Sequence, residues 1–344
     1  MIKLRNMARL SLVASAVAVL MAFTVLPLRA DDETVQIRSR LIPNFKVGSD
    51  QTRFGDFEFI GGLELSSSSA ALGAMSAIRV SEDRSHFLGV MDTGSWYAGR
   101  FVRGPNGALT GIEDFSVSPI LDAEGASSDQ KWRVDAEGLA VRGDEVLVSF
   151  ERQSRVDVYP AKAPGSSRPV GSLPVQIPLN ELRNNRGLEA IMVAPAASPL
   201  AGEVVVVSEK SLTASGDIFA AVLTGPSKGV FFVKRHSPYD VTDGDFLPNG
   251  DLLLLERRFS IAEGIGMRIR RIDGSRLVPG NLVDGPVVLE ADFGDQIDNM
   301  EGLDVSTDGA GQIFVTLVSD DNYSILQRNL MLEFRLVGDR TAAD

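Results

Sequence analysis

Acidic residues recur along this chain within a short phrase that repeats about every sixty residues. The four clear copies open at Glu137, Glu189, Asp243 and Glu301, and a degenerate fifth copy opens at Ser76. Each copy ends in a second acid, and these closing acids are Asp92, Glu151, Glu209, Glu256 and Asp320. Carboxylates gathered at one place cannot all stay ionised without cations or basic partners. Carboxylate oxygens are also the ligands that Ca²⁺ prefers. A cluster of the repeated acids would therefore need either basic partners or a hard cation.

The elements that position these acids are short strands. In the copy that opens at Glu137, two apolar runs, residues 138–141 and 146–148, lie on either side of a polar turn that contains Gly143 and Asp144. Such turn residues tolerate positive φ and are typical of β-hairpins. Further short strands follow each copy, so one unit holds about four strands, the size of a propeller blade. A unit of this size cannot bury its own apolar face and must pack against its neighbours.

The repeat length divides the chain after residue 30 into five to six units. Five copies are legible, and we expect the sixth unit to be assembled from both ends by pairing residues 57–60 and 62–65 with residues 330–336. This closure would remove an exposed sheet edge. The sequence thus predicts an all-β fold, a β-propeller of six blades with four-stranded antiparallel sheets. Five or seven blades, a pair of β-sandwiches and a β-solenoid are the alternatives.

In a propeller, the innermost strand of each blade lines a central channel, so equivalent positions of successive blades converge. The opening acids of the four clear copies are therefore expected to form one ring, and the closing acids a second set. Arg152, Arg186 and Arg257 lie next to these acids in sequence and are candidate counter-charges. Two interpretations remain open. The carboxylates either hold neighbouring blades together through backbone N–H groups and arginines, or they bind Ca²⁺ and, with the arginines, an anionic substrate.

The segment Asp320-Asp321-Asn322 carries three oxygen-bearing side chains at a junction between a strand and a loop. These side chains suit a hard metal or a polar substrate, with an Asx-turn cluster that holds no ligand as the alternative. Serine chemistry has little support, because the chain lacks a Gly-x-Ser-x-Gly motif. Its two histidines cannot form a three-histidine zinc site, and its lack of cysteine excludes disulfides, thiolate metal sites and a cysteine nucleophile.

The first thirty residues resemble a secretory signal. A basic start is followed by an apolar stretch, and Ala30 precedes two acids, which predicts cleavage after Ala30 and a periplasmic or secreted protein with no stable membrane insertion afterwards. Removal of the four basic residues in this segment changes the formal net charge from −12 to −16. We expect no binding to nucleic acid, because the phosphate backbone would repel a chain with this negative charge. We interpret residues 31–56 as an N-terminal arm, 57–337 as the propeller and 338–344 as a C-terminal tail.

Several phrases together resemble the family described as esterase-like activity of phytase, a phytase-like domain of exported bacterial proteins. They are Asp135-Ala136-Glu137-Gly138-Leu139, Asn185-Arg186-Gly187-Leu188-Glu189, Leu254-Leu255-Glu256-Arg257, Asn299-Met300-Glu301-Gly302-Leu303 and Ser319-Asp320-Asp321-Asn322. The resemblance covers residues 57–337 and implies a β-propeller with hydrolase activity, with phosphate esters as an expected substrate class. It also adds Asp135, which opens the first of these phrases, to the candidate metal ligands. The first repeat departs from the family pattern, because Thr93 follows Asp92 where a second acid is usual.

The leading hypothesis is a phytase-like hydrolase that acts on phosphate or carboxylic esters with Ca²⁺ assistance in the channel. Glu137, Glu189 and Glu301 are then the candidate bases or ligands, and Arg152, Arg186 and Arg257 neutralise the substrate. The full set of candidate metal ligands is Asp135, Glu137, Glu189, Asp243, Glu301, Asp320, Asp321 and Asn322. The expected partner is a small anionic or ester substrate. The alternatives are a non-catalytic binding or scaffold propeller and a hydrolase of the sugar-lactone type.

Overall fold

The computed structural model describes residues 33–128, 130–183, 186–260 and 264–338. These residues form five β-sheets of four to six strands, arranged as the blades of a propeller. The innermost strands of the five sheets contact one another in a closed ring. The predicted β-propeller is therefore confirmed, whereas the predicted number of six blades is wrong.

Each blade runs from an inner strand at the channel to an outer strand at its edge. Blade 1 contains β5 (Met75–Val80), β6 (His86–Met91), β7 (Ser95–Arg103), β8 (Leu109–Pro119) and β1 (Glu33–Thr34). Blade 2 contains β9 (Ala136–Arg142), β10 (Glu145–Phe150), β11 (Arg155–Pro160) and β12 (Gly171–Leu173). Blade 3 contains β13 (Leu188–Val193), β14 (Val204–Leu212), β15 (Ile218–Val222), β16 (Gly229–Val233) and β20 (Leu282–Val283). Blade 4 contains β17 (Asp240–Phe246), β18 (Leu252–Ser260), β19 (Gly264–Ile272) and β21 (Val287–Asp292). Blade 5 contains β22 (Asn299–Thr307), β23 (Ile313–Asp320), β24 (Asn329–Leu336), β4 (Phe57–Ser66) and β2 (Arg38–Ile42), and β3 (Arg53–Phe54) pairs with β4.

The ring closes within blade 5, which explains the error in the blade count. The strand near the N-terminus, β4, pairs antiparallel with the strand near the C-terminus, β24. The expected pairing of the two chain ends is thus confirmed. However, it completes the blade that already holds the last repeat and does not create a sixth. Each of the five legible copies therefore corresponds to one blade.

Apolar side chains fill the five junctions between neighbouring blades. Each junction has its own cluster of buried residues. In β18, Leu252 and Leu254 pack against blade 3, whereas Leu253 and Leu255 pack against blade 5. Successive side chains of a strand point to opposite faces of its sheet, so an unbroken apolar run is what a strand buried on both faces requires. This packing fixes the inner strands around the channel.

The residues predicted as an N-terminal arm pair with two blades. β1 adds to the outer edge of blade 1, and β2 adds to the outer edge of blade 5. The described helices are one short α-helix, α1 (Lys131–Val134), and two 3₁₀ helices (Pro164–Ser166 and Gly274–Arg276). Among the described residues, no helix has the length and apolar character needed to cross a membrane. The predicted signal segment and residues 339–344 lie outside the described residues.

Candidate functional site

Every inner strand carries a β-bulge at the same position. The register of pairing shifts by one residue on each of these strands, and the extra residues are Ser76, Glu137, Glu189, Thr242 and Glu301. A bulge re-aims the side chain of the extra residue. Three of the five bulge residues are the opening glutamates of the repeat, and all three line the central cavity.

The residue after each bulge allows neighbouring inner strands to approach closely. At Gly138, an added Cβ would lie 2.3 Å from the carbonyl oxygen of Glu189 on the next blade. At Gly302, an added Cβ would lie 2.6 Å from Val318 and 3.1 Å from the backbone of Ala77. The equivalent residue of blade 4 is Asp243, whose buried side chain lies 3.3 Å from Arg79.

A second position of the same blades also faces the cavity. In each blade, the residue just before the bulge pairs with a residue of the second strand, and the next residue of that second strand lines the cavity. These next residues are Asp92, Glu151, Glu209, Arg257 and Asp320. In blade 4 the sequence pattern pointed to Asp243 and Glu256, but the pairing places Thr242 and Arg257 at the equivalent positions. A shift of one residue moves a strand side chain to the opposite face. Glu256 accordingly faces away from the cavity and pairs with Arg268 at 2.6 Å. Blade 4 thus contributes a cation where the other blades contribute acids.

These residues surround a cavity of about 620 Å³ at one end of the channel. Nine acidic side chains line it: Asp92, Asp135, Glu137, Glu151, Glu189, Glu209, Asp240, Glu301 and Asp320. Six basic side chains also line it: Lys131, Arg186, Lys210, Arg235, Arg257 and Arg258. The cavity is therefore a strongly ionic site with more acids than bases.

Two groups of three carboxylates lie on the side of the cavity formed by blades 2 and 3. In the first group, Asp135, Glu137 and Glu151 each offer an oxygen within 4.8 Å of the others, and in the second group Glu151, Glu189 and Glu209 do the same. Glu151 belongs to both groups. We call them the first and second carboxylate triads. Their geometry fits hard divalent cations, which collect several carboxylate oxygens around one centre.

The carboxylates of the triads hold their protons more tightly than isolated acids. Burial raises the pKa of Glu137 well above its ordinary value, and the nearby charges of Asp135 and Glu151 raise it further. Burial and the charges of Glu137 and Glu151 likewise raise the pKa of Glu189. Oδ1 of the buried Asp135 has no hydrogen-bond partner among the described residues. A bound cation would supply the missing partner and favour the ionised forms.

Basic side chains lie close to Glu209 of the second triad and to Glu301. Arg257 lies 3.1 Å from Glu301 and 3.9 Å from Glu209, whereas Arg186 lies 3.8 Å from Glu209. Asn299 donates a hydrogen bond of 2.7 Å to Glu301. Even so, burial raises the pKa of Glu301 above its ordinary value. The cations from residue 186 onward lie mainly on blades 3 and 4, which makes this side of the cavity suitable for an anion.

The first triad has basic partners at its rim. Arg152 donates a hydrogen bond of 2.8 Å to Asp135 and is not among the residues that line the cavity. Lys131, on α1, forms an ion pair with Asp92 and lies 3.6 Å from Asp135. The backbone N–H of Gly187, on the next blade, donates to Oε1 of Glu151 at 3.2 Å. Some of these acids therefore also join neighbouring blades, as the structural interpretation of the repeat expected.

Asp243 lies deeper in the channel, in a buried cluster centred on Arg79. Nη1 of Arg79 lies 3.3 Å from Asp243 and donates a hydrogen bond of 2.8 Å to the carbonyl of Leu303, on blade 5. Nη2 donates at 3.0 Å to the carbonyl of Ile191, on blade 3. One guanidinium thus connects four blades and lies across the channel below the cavity. Asp243 also accepts the N–H of Leu303 at 2.9 Å, so in this structure it is a link between blades.

The segment after β23 forms an Asx turn that still directs two side chains to the cavity. Asp320 accepts the backbone N–H of Asn322 at 2.6 Å, and both residues line the cavity. Burial raises the pKa of Asp320 to about 7. Asp321 lies apart from the cavity lining, where it accepts hydrogen bonds from Asn329 at 2.7 Å and from the N–H of Ala74 at 3.3 Å.

The structure brings together Asp135, Glu137, Glu189, Glu301, Asp320, Asn322, Arg186 and Arg257 of the predicted site. The predicted site did not include Lys131, Asp240, Arg235 or the central Arg79. Lys131 and Arg235 lie between blades, outside the repeated phrase. Arg79 occupies a position that holds Ala140, Met192, Asp245 and Asp304 in the other blades, so the repeat offers no signal for it.

Comparison with known proteins identifies the family. The model of the phytase-like family, described as esterase-like activity of phytase, matches residues 70–323. A search of curated protein sequences finds no match. Among solved structures, the chain is similar to the WD40 repeats of RRP9, with a TM-score of 0.40 and 9% sequence identity over 83% of this chain and 100% of that chain.

Proposed function

We propose that this chain, which belongs to the phytase-like family, is an exported hydrolase that cleaves phosphate esters with the help of divalent cations. The observation that carries the proposal is the asymmetry of the cavity. Two carboxylate triads that share Glu151 lie on blades 2 and 3, and basic side chains from blades 3 and 4 adjoin them, with Arg186 3.8 Å and Arg257 3.9 Å from Glu209. This arrangement can hold cations and an anion next to each other. Ca²⁺ is the cation that an all-oxygen ligand set favours.

In this proposal, each part of the cavity has a separate role. The triads would hold a divalent cation, which when bound would supply a lowered pKa for a water and charge shielding for the substrate. Glu137 and Glu189 are ligands, Arg257 binds the phosphoryl oxygens, and Arg186 adds positive charge beside it. Glu301, which lies 3.1 Å from Arg257, would accept the proton of the attacking water as the water oxygen bonds to phosphorus. The P–O bond to the alcohol would break, and the leaving alcohol oxygen would take a proton from solvent. The predicted export rests on residues 1–30 of the sequence.

The test uses purified chain without residues 1–30, assayed with p-nitrophenyl phosphate and phytate in EDTA and in excess Ca²⁺. We expect hydrolysis that requires Ca²⁺, and a loss of about 100-fold in kcat/KM for Arg257→Ala, because removal of a charged group that stabilises a transition state typically costs this much. Arg168→Ala is the matched control, since Arg168 is exposed and lies outside the cavity.

The other outcomes separate the alternatives. Hydrolysis of p-nitrophenyl butyrate without hydrolysis of phosphate esters would assign the site to carboxylic esters. Calorimetric binding of phosphate without turnover of any ester would favour a non-catalytic binding propeller. The lactonase alternative was an analogy with six-bladed propellers, and the five blades of this chain remove that basis.

A further inference from the structure

A second concave surface lies beside the ionic cavity, and its walls are mainly apolar. We call it the groove. It has a volume of about 860 Å³ and lies between the outer parts of blades 4 and 5. Its apolar walls are Val47, Phe259, Ile265, Phe293, Ile297 and Leu326. Such a volume lies within the range of pockets that bind small molecules.

Three of these wall residues are unusually exposed for large apolar side chains. The exposed fractions are 72% for Phe259, 79% for Phe293 and 87% for Leu326. Single exposed apolar residues are ordinary, but several that face one groove are typical of a binding surface. The groove therefore offers apolar contact area that the fold itself does not use.

Two arginines beneath these walls, Arg258 and Arg328, form hydrogen bonds within the protein. Arg328 donates hydrogen bonds of 2.8 Å to the side chain of Gln296 and 2.8 Å to the carbonyl of Ile297, and it also lies 3.4 Å from Asp298. Arg258 donates at 3.0 Å to the hydroxyl of Tyr239. With these groups already engaged, the groove is suited to an apolar ligand and not to a second ionic one.

The groove is continuous with the ionic cavity. Arg257, Arg258, Phe259 and Asn299 line both of them. A molecule whose phosphate contacts Arg257 could therefore extend an attached chain past Phe259 without leaving the protein surface. The apolar walls and the basic side of the cavity thus complement the two halves of one amphiphilic molecule.

We infer that the substrate is an amphiphilic phosphate ester, with its phosphate in the cavity and a linear alkyl arm in the groove. This inference rests on the proposed function, and it specifies the leaving-group side of the ester. The apolar arm gains binding free energy by leaving water, in proportion to the area that the groove covers.

The first experiment measures binding, so that it does not depend on turnover. Inorganic phosphate and hexyl, octyl and decyl phosphate, each below its micellar concentration, are titrated calorimetrically into the chain without residues 1–30 in the presence of Ca²⁺. Affinity should rise about threefold to fourfold per methylene, and about tenfold from octyl to decyl phosphate, as expected for burial of alkyl groups. Affinity that does not change with chain length would overturn the inference while leaving the proposed function intact.

Variants of the exposed walls test the place of the arm. Phe293→Ser and Leu326→Ser should reduce the gain from octyl to decyl phosphate to less than twofold and leave the affinity for inorganic phosphate unchanged. Leu179→Ser is the matched control, because Leu179 is 66% exposed and lies outside the groove. An equal loss in the control, or none in the groove variants, would contradict the assignment.

A neutral probe separates failure of the groove from failure of the phosphate site. N-phenyl-1-naphthylamine should become fluorescent on the wild-type protein and on Arg186→Ala, which changes the cavity but not the groove lining, and much less so on the two groove variants. If no phosphate binds but the probe does, the proposed function fails and with it the identity of the head group. If the protein instead binds neutral phospholipid vesicles and the groove variants do not, the apolar residues contact a membrane and the inference is wrong.

Discussion

The shared position of Glu151 leads to a quantitative prediction for Glu151→Gln. Glu151 contributes an oxygen to both carboxylate triads, whereas Glu209 contributes to one of them. Under the proposed function, Glu151→Gln should therefore weaken two cation sites, and Glu209→Gln only the second. Because both side chains keep their size and can still form hydrogen bonds, the substitutions change charge more than packing.

The expected effect on thermal stability follows from mass action. A cation at about 100 times its Kd stabilises the native state by about 2.7 kcal/mol per site. For a chain of this length, the entropy of unfolding is on the order of 0.65 kcal/mol per degree, so each site should raise Tm by about 4 °C. We expect the wild type to gain about 8 °C between EDTA and saturating Ca²⁺, Glu209→Gln about half of that, and Glu151→Gln less than about 2 °C.

The assay is differential scanning calorimetry in EDTA and in Ca²⁺, with the stoichiometry measured by isothermal titration. Glu145→Gln is the matched control, since Glu145 lies at the opposite end of β10 and pairs with Arg142 at 2.6 Å, outside the cavity. In EDTA, Glu151→Gln should melt at or above the wild-type temperature, because it removes a charge that raises the pKa of Glu137 and Glu189. A full response to Ca²⁺ in Glu151→Gln would refute the reasoning.

Two further predictions concern pH and the buried arginine. Burial raises the pKa of Asp320 from 3.8 to about 7, so the native state binds more protons than the unfolded state between these two pH values. In EDTA, the free energy of unfolding measured with urea should therefore fall by up to ~4 kcal/mol from pH 4 to pH 8. Asp320→Asn should reduce this fall. A metal-free protein whose stability rises over this range would contradict the assignment. Arg79→Met should lower the free energy of unfolding by about 3–5 kcal/mol with or without Ca²⁺, because it leaves Asp243 buried without its partner. Arg168→Met, at an exposed position, should change the free energy of unfolding little. A loss below ~1 kcal/mol in chemical denaturation would show that the cluster does not hold the blades together.

The fold was largely predictable because the repeat has a physical cause. Each blade needs a hairpin with apolar residues on both faces, so the phrase had to recur along the chain. The number of blades was harder to predict, because the end strands β4 and β24 could either complete an existing blade or form a new one. Both outcomes remove the exposed edge, and the sequence does not distinguish them.

The candidate site was predictable in blades 2, 3 and 5 but not in blade 4. There Asp243-Gly244 resembles Glu301-Gly302 in sequence, yet the bulge falls at Thr242. A bulge depends on how two strands pair, and a one-residue difference in its position leaves the local composition unchanged. The role of Arg79 was invisible for a related reason, since its hydrogen-bond acceptors, such as Ile191 and Leu303, are backbone carbonyls of distant blades.

The pairing of β4 with β24 also determines when the site can first exist. Phe57 pairs with Leu336, so β4 has its β2 and β3 partners early but lacks the β24 partner that joins it to blade 5 until nearly all of the polypeptide is available. Contacts between such remote segments slow folding, because a long loop must close before they form. A chain shortened by proteolysis before β24 would lack this join and leave the edges of β4 and β23 open. Under the proposed function, cation binding and hydrolysis should therefore appear together, late in folding, and only in molecules that contain β24.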